Sequence, residues 1–245
     1  MLFRSTLRAA LISSGRPWRV RDTATQMEMV LVPQGTFVMG EAGWAAPVHS
    51  VTLTHAFYLG RYEVTQGQWV AKMGSNPSAF QGYSDSANRP VEQVSWNTIQ
   101  SFLSATAMRL PSEAEWEYAY RANTTTAFHS MPGYPNGTND ESQAGTIAWH
   151  DYNSGNQTHA VGGKAANALG LHDMAGNVWE WVNDWYEGYS SGAQTNPLGP
   201  VSGSSRVFRG GSWSYGTSYV RSSYRTSTAP GNSDGSIGFR VARAP

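Results

Sequence analysis

No cysteine occurs in the 245 residues. Disulfides, thiolate nucleophiles, thiolate zinc sites and lipid attachment at a cysteine are therefore excluded. An excess of either charge is also missing: 17 basic residues meet 17 acidic ones, and no run of five or six Lys or Arg appears. Nucleic-acid binders carry such a basic footprint, so nucleic acid is not the expected partner. No apolar run approaches the roughly 20 residues that a membrane span needs. At the start, Met1 to Ser14 carries Arg4 and Arg8 around only Ala9-Ala10-Leu11-Ile12, short of the roughly 7 to 15 apolar residues of a signal peptide. Phage tail, cell surface and cytoplasm all remain open as locations.

What is present is glycine (26), proline (12) and tryptophan (10), with charged residues at only 14%. Gly and Pro interrupt every long periodic run, so many short elements and long loops are expected around one aromatic core. Residues 1–26 show no clear periodicity and read as an extension, with the domain proper over 27–245. Met29–Pro33 reads as a strand turning at Gln34-Gly35 into a return strand over Thr36–Gly40. Val48–Leu53 and Ala56–Leu59 read as further strands. Helices are announced by capping boxes at Thr65-x-x-Gln68 and Ser112-x-x-Glu115, and by Ser95 ahead of Ile99, Phe102 and Leu103. From about 120 to 168 the chain is loop-like, with only Thr146–Trp149 looking ordered.

Four motifs occur in order: Arg109-Leu-Pro-Ser-Glu-Ala-Glu-Trp-Glu-Tyr-Ala119, Gly170-Leu-His-Asp-Met-Ala-Gly-Asn-Val-Trp-Glu-Trp181, Arg209-Gly-Gly-Ser-Trp213 and Gly238-Phe-Arg240. Upstream stand Val30–Gly40, Tyr62-Glu-Val-Thr65 and Pro90–Trp96. Together they resemble the formylglycine-generating enzyme, or sulfatase-modifying factor, superfamily. The resemblance implies an α+β, C-type-lectin-like fold with short strands, few helices and much irregular structure.

In the enzymes of that family, copper-dependent oxidation rests on two cysteines just before the Gly-Phe-Arg strand. This chain has Arg221 and Thr226, or near neighbours, in that region, and neither offers the soft sulfur that copper(I) selects. Copper is not expected. The related iron-dependent sulfoxide synthases add a helical domain with clustered histidines; here His49, His55, His129, His150, His159 and His172 show no i, i+4 pairing, so iron is not expected either. The resemblance further implies a structural calcium ion held by Asp173, Glu180 and the carbonyls of Gly176 and Val178, since calcium takes hard oxygen ligands. The alternative is that Asp173 and Glu180 cap and pair within the core. Glu113, Glu115 and Glu117 point in different directions along a helix and are read as structural.

Between Arg206–Trp213 and Ile237–Val241 the alphabet narrows to Ser, Tyr, Thr, Gly, Asn and Asp, with a single Ala, around the anchors Val220, Arg221, Arg225 and Pro230. Lys, Glu, Gln, Met and Trp are absent from 214–236. This is similar to the variable region, about 206–241 here, of proteins diversified by retroelements, a branch of the same lectin-like superfamily. Adenine mutagenesis of an Asn codon ending in a pyrimidine yields that alphabet and never the five missing residues. Tyr supplies rigid amphipathic contact area, and Ser, Gly and Asn supply adaptable hydrogen bonding. The expected ligand-binding residues are Ser214, Tyr215, Gly216, Thr217, Ser218, Tyr219, Ser222, Ser223, Tyr224, Thr226, Ser227, Thr228, Asn232, Ser233, Asp234 and Ser236. A non-enzymatic protein binding a protein or other macromolecular ligand follows from this reading. An enzyme of the superfamily with unseen chemistry and a degenerate scaffold subunit are the alternatives.

Overall fold

The computed structural model describes residues 5–245. Residues 1–4, part of the weak leader-like stretch, lie outside them. In chain order the elements are α1 (Ser5–Ser13), β1 (Arg19–Arg21), β2 (Glu28–Val32), β3 (Gly35–Glu41), β4 (Ala45–Leu53), β5 (Phe57–Gly60), α2 (Gln66–Met73), α3 (Trp96–Thr106), α4 (Glu113–Arg121), β6 (Ala148–Trp149), β7 (Ala175–Gly176), β8 (Trp179–Trp185), β9 (Gln194–Thr195), β10 (Arg206–Arg209), β11 (Arg225–Thr228), β12 (Ile237–Phe239) and β13 (Ala242–Arg243). The strands form sheets ordered β1-β2-β5-β13, β11-β10-β8-β12, β3-β4-β9 and β6-β7. The fold is α+β, with short strands and few helices. Among the described residues, no helix is long and apolar enough to cross a membrane.

The capping boxes form as expected: Thr65 accepts from the Gln68 N–H and Ser112 from the Glu115 N–H, while each N3 side chain reaches back to its cap. Ser95 caps α3, whose Ile99, Phe102 and Leu103 are buried. Orphan amide groups at helix starts are thereby satisfied locally, which is why these starts are readable from sequence.

Two expectations fail. β2 and β3 do not form a hairpin: β2 pairs with β1 and β5, while β3 pairs with β4 from Gly35↔Leu53 onward. All of Met29–Val32 is buried whereas β3 alternates, so the two strands suit different sheets. The second failure is upstream of residue 27. Leu7 and Leu11 of α1 are buried in the main core, and Val20 of β1 pairs with Met29. A three-residue strand with two arginines leaves no periodic signal, which hid this packing.

The second sheet places the candidate face. β8 lies between β10, antiparallel, and β12, parallel, with Trp179 and Trp181 buried. Trp179 packs edge-on to Phe208 at 5.2 Å. Gly176, at φ +74°, lies directly against Trp149, whose carbonyl a Cβ would strike.

Candidate functional site

The segment from β10 to β12 is held chiefly through its main chain. Arg209, wholly buried, donates to the carbonyls of Ser223 (2.7 Å), Tyr224 (2.5 Å) and Ser222 (3.2 Å), and pairs with Glu117. The Tyr120 hydroxyl donates to the Val220 carbonyl at 2.8 Å, the Ser222 N–H to the Ala127 carbonyl at 2.7 Å, and the Trp213 indole to the Gly235 carbonyl at 3.0 Å. Arg225 binds Glu113 through two contacts of 2.8 and 2.7 Å and donates to the Glu187 carbonyl. Arg221 pairs with Glu41 and Glu141. Carbonyls are common to every residue type, so these main-chain hydrogen bonds do not themselves read the side chains at 222–224. Glu113 and Glu117 thus serve as counter-ions to the framework, and Glu115 joins its capping box and Arg109. The Glu113 carboxyl lies below its ordinary range: burial would raise it, but Arg225 and Arg209 outweigh that.

Over this framework runs a chain of aromatic rings. Trp179 meets Tyr215 at 5.3 Å, Tyr215 meets Tyr219 at 5.1 Å, Tyr219 meets Tyr224 at 4.8 Å, and Tyr224 meets Trp44 at 6.3 Å. Tyr215 is 40% exposed, and Tyr219 and Tyr224 are half-buried. Burial, with the neighbouring phenols, holds the Tyr224 hydroxyl above its ordinary value, so it stays neutral. Beside the rings opens a cleft of about 430 Å³, floored by Trp179, Phe208 and Ile237 and walled by Tyr215, Ser227, Thr228, Asn232, Ser233, Asp234 and Ser236. That volume falls in the range of ordinary ligand sites.

Most of the expected binding residues fall on or around this face. Ser214 is exposed, and Gly216, Ser218 and Thr226 are half-buried; Thr217 donates to Glu141 at 3.0 Å. Two do not belong to it. Ser222 and Ser223 are fully buried, their hydroxyls given to the Thr126 carbonyl and to Glu41, because the two residues lie where Arg209 draws the chain inward. The sequence reading missed Trp44, at the tip between β3 and β4, with the Arg221 guanidinium 4.9 Å from its ring centre. A tryptophan between Gly43 and Ala45 in a turn was the available signal.

The calcium set does not fit as the residues stand. Both Glu180 oxygens are taken by Arg240, at 2.6 Å each, and one also accepts from the Trp116 indole at 2.8 Å. Asp173 accepts from the Gly162 N–H through one oxygen, and its other oxygen is buried without a partner. Beside this set, Glu63 accepts from the Val178 N–H, which leaves the expected carbonyl ligand of Val178 unaffected. Arg240 therefore supplies positive charge beside Glu180. Burial, then Asp173 and Glu180, push Glu63 well above the usual carboxylate range, and burial raises Asp173 to about 6. Among the described residues, no group of three or more His, Asp or Glu is arranged to hold a metal. Of the histidines, His129 is buried and burial lowers it to about 4, while His159 stacks on Trp149.

A second cavity, of about 260 Å³, lies behind β11 and is lined by His49, Glu113, Asp184, Tyr189 and Arg225 among others. Asp184 accepts from the Glu113 N–H at the start of α4. Burial, then Glu113, lift Asp184 from 3.8 to about 7.

Comparison with known proteins agrees with this fold. A solved structure, Treponema denticola variable protein 1, superposes with a TM-score of 0.83 at 29% identity, over 94% of this chain and all of that one. Serine/threonine-protein kinase pkn1 of Chlamydia caviae is 33% identical over 88% of this chain, which spans 38% of that relative's length. The formylglycine-generating enzyme of Thermomonospora curvata is 35% identical over 72% of this chain and 64% of its own. The sequence pattern described as the sulfatase-modifying factor enzyme 1-like domain matches residues 18–245, and the chain belongs to that family.

Proposed function

We propose that this is a non-enzymatic recognition protein whose segment 206–241, diversified by a retroelement, presents a Tyr- and Ser-rich face to a protein or other macromolecular ligand. The observation that carries this reading is the division of labour around Arg209. Holding the backbone through Arg209, Arg221 and Arg225 leaves Ser214, Tyr215, Asn232, Ser233 and Asp234 exposed and Ser227 and Thr228 half-buried. The likeness to a variable protein supports it. The lack of cysteine removes thiolate chemistry of the kind the family's copper enzymes use.

The test is a display library with Ser214, Tyr215, Ser227, Thr228, Asn232 and Ser233 varied together over the alphabet of 214–236. Most members should fold and be protease-resistant, and panning on unrelated proteins should return binders whose sequences differ in this face. A library in which most members unfold would sink the proposal. A near-copy of the coding segment with adenines at these codons, beside a reverse transcriptase gene, is the expected genomic companion.

A further inference from the structure

The recognition face carries one acidic residue, Asp234, within 206–241. All the arginines of that segment are already engaged. Arg209 pairs with Glu117, Arg221 with Glu41 and Glu141, Arg225 with Glu113, and Arg240 with Glu180. Arg206 is held between the rings of Trp96 and Trp185, at 3.8 and 3.5 Å from their centres. Among the described residues, no basic side chain makes an ion pair with Asp234, which is exposed on the cleft wall. The carboxylate is also fixed in place. One oxygen accepts from the Ser236 N–H at 2.7 Å and from its hydroxyl, while the Asp234 carbonyl receives the Gln93 and Ile237 N–H groups. Glu92, whose carboxyl oxygens accept from the Ala79 and Phe80 N–H groups, lies close enough for Asp234 to help raise it, after burial.

Resting on the reading of this face as a recognition surface, we infer that the cleft takes a basic side chain, arginine or lysine, from a protein partner. The apolar stem of such a side chain fits against Trp179, Phe208 and Ile237, and its charged head meets Asp234 beside the Tyr215 ring. A long cationic side chain has that build, an apolar stem with a polar tip. A cation within about 6 Å of an aromatic centre gains from the ring quadrupole, and it gains more when a carboxylate shares it. A neutral or acidic group would leave Asp234 uncompensated or repelled. The charge of the preferred side chain is therefore set by one variable position.

The full chain, isotope-labelled, would be titrated by NMR with blocked tripeptides Ala-X-Ala in which X is arginine, lysine, citrulline, norleucine or glutamate, and with tetramethylammonium. Arginine and lysine peptides should shift the Asp234, Ser236 and Tyr215 amides, with citrulline and norleucine about tenfold weaker or more. Asp234→Asn, checked for an unchanged melting temperature, should abolish most of that preference. Equal binding of citrulline and arginine, preference for glutamate, or no effect of Asp234→Asn overturns the inference, yet leaves the recognition face standing if the same amides respond. Tetramethylammonium binding as tightly as the peptides overturns the assignment to a protein side chain. Silence from all probes at 214–236 also overturns it; the library selection judges the recognition reading separately.

Discussion

Asp184 shows how one buried carboxyl sets a pH dependence. Its folded-state value, about 7, stands above the unfolded value of 3.8, so the folded protein holds a proton that the unfolded chain releases. Stability falls with pH wherever the folded state binds more protons. The contribution of Asp184 is therefore lost between about pH 4 and 7. Asp184→Asn keeps an acceptor for the Glu113 N–H and removes the titration; its unfolding free energy should drop less than wild type between pH 5 and pH 8 in urea titrations. An unchanged slope would show that the cavity hydrates this group. At Glu180 the same scale of argument concerns a pair. Arg240→Met leaves a buried carboxylate without its guanidinium and should cost about 3 to 5 kcal/mol. With Arg240 already compensating Glu180, chelation with EDTA is expected to leave the wild-type melting temperature unchanged; a drop of several degrees would favour the calcium reading.

At the scale of elements, what was legible was what is specified locally. Thr65, Ser95 and Ser112 satisfy amides three residues away, and the starts of α2, α3 and α4 follow directly. Pairing between distant strands leaves no such mark. β2 and β3 are separated by two residues and look like a hairpin, yet burial of all of Met29–Val32 assigns β2 to the sheet with β5. The narrowed composition of 214–236 was legible, being itself a sequence property. The geometry of that segment was not: the inward turn at Ser222 and Ser223 depends on Arg209, and Trp44 arrives from a turn 180 residues before Tyr224. The turn leading into the face hinges on Gly211. At φ +73° a Cβ there would lie 2.6 Å from Val220 Cγ1. Gly211→Ala should therefore destabilise by about 1 kcal/mol or more and loosen the Thr217–Val220 turn. Hydrogen exchange at Tyr219 and Val220 would report it, and unchanged protection would place the turn's rigidity elsewhere.

At the scale of the whole molecule, the requirement on a recognition scaffold is that its stability and its contact surface draw on different residues. The core runs through Trp116, Trp179, Trp181, Phe102 and Phe239, all buried, and through the arginine framework, while Ser214, Tyr215, Ser227, Asn232 and Ser233 add little to either. The separation is incomplete at Tyr219 and Tyr224, which pack against the core from the face. Replacing Ser214, Tyr215, Ser227, Asn232 and Ser233 together with alanine should thus shift the melting temperature by only a few degrees, since surface changes usually lie within about 0.5 kcal/mol each. Tyr219→Ala should cost more than Tyr215→Ala, because its ring bridges Tyr215 and Tyr224. Trp179→Ala should cost about 3 to 5 kcal/mol, as large aromatic deletions do, and should collapse the cleft floor along with the fold. Thermal melts of these variants decide the matter. If the fivefold alanine variant unfolds as readily as Trp179→Ala, the face and the core are one structure, and free variation across 214–236 is physically untenable.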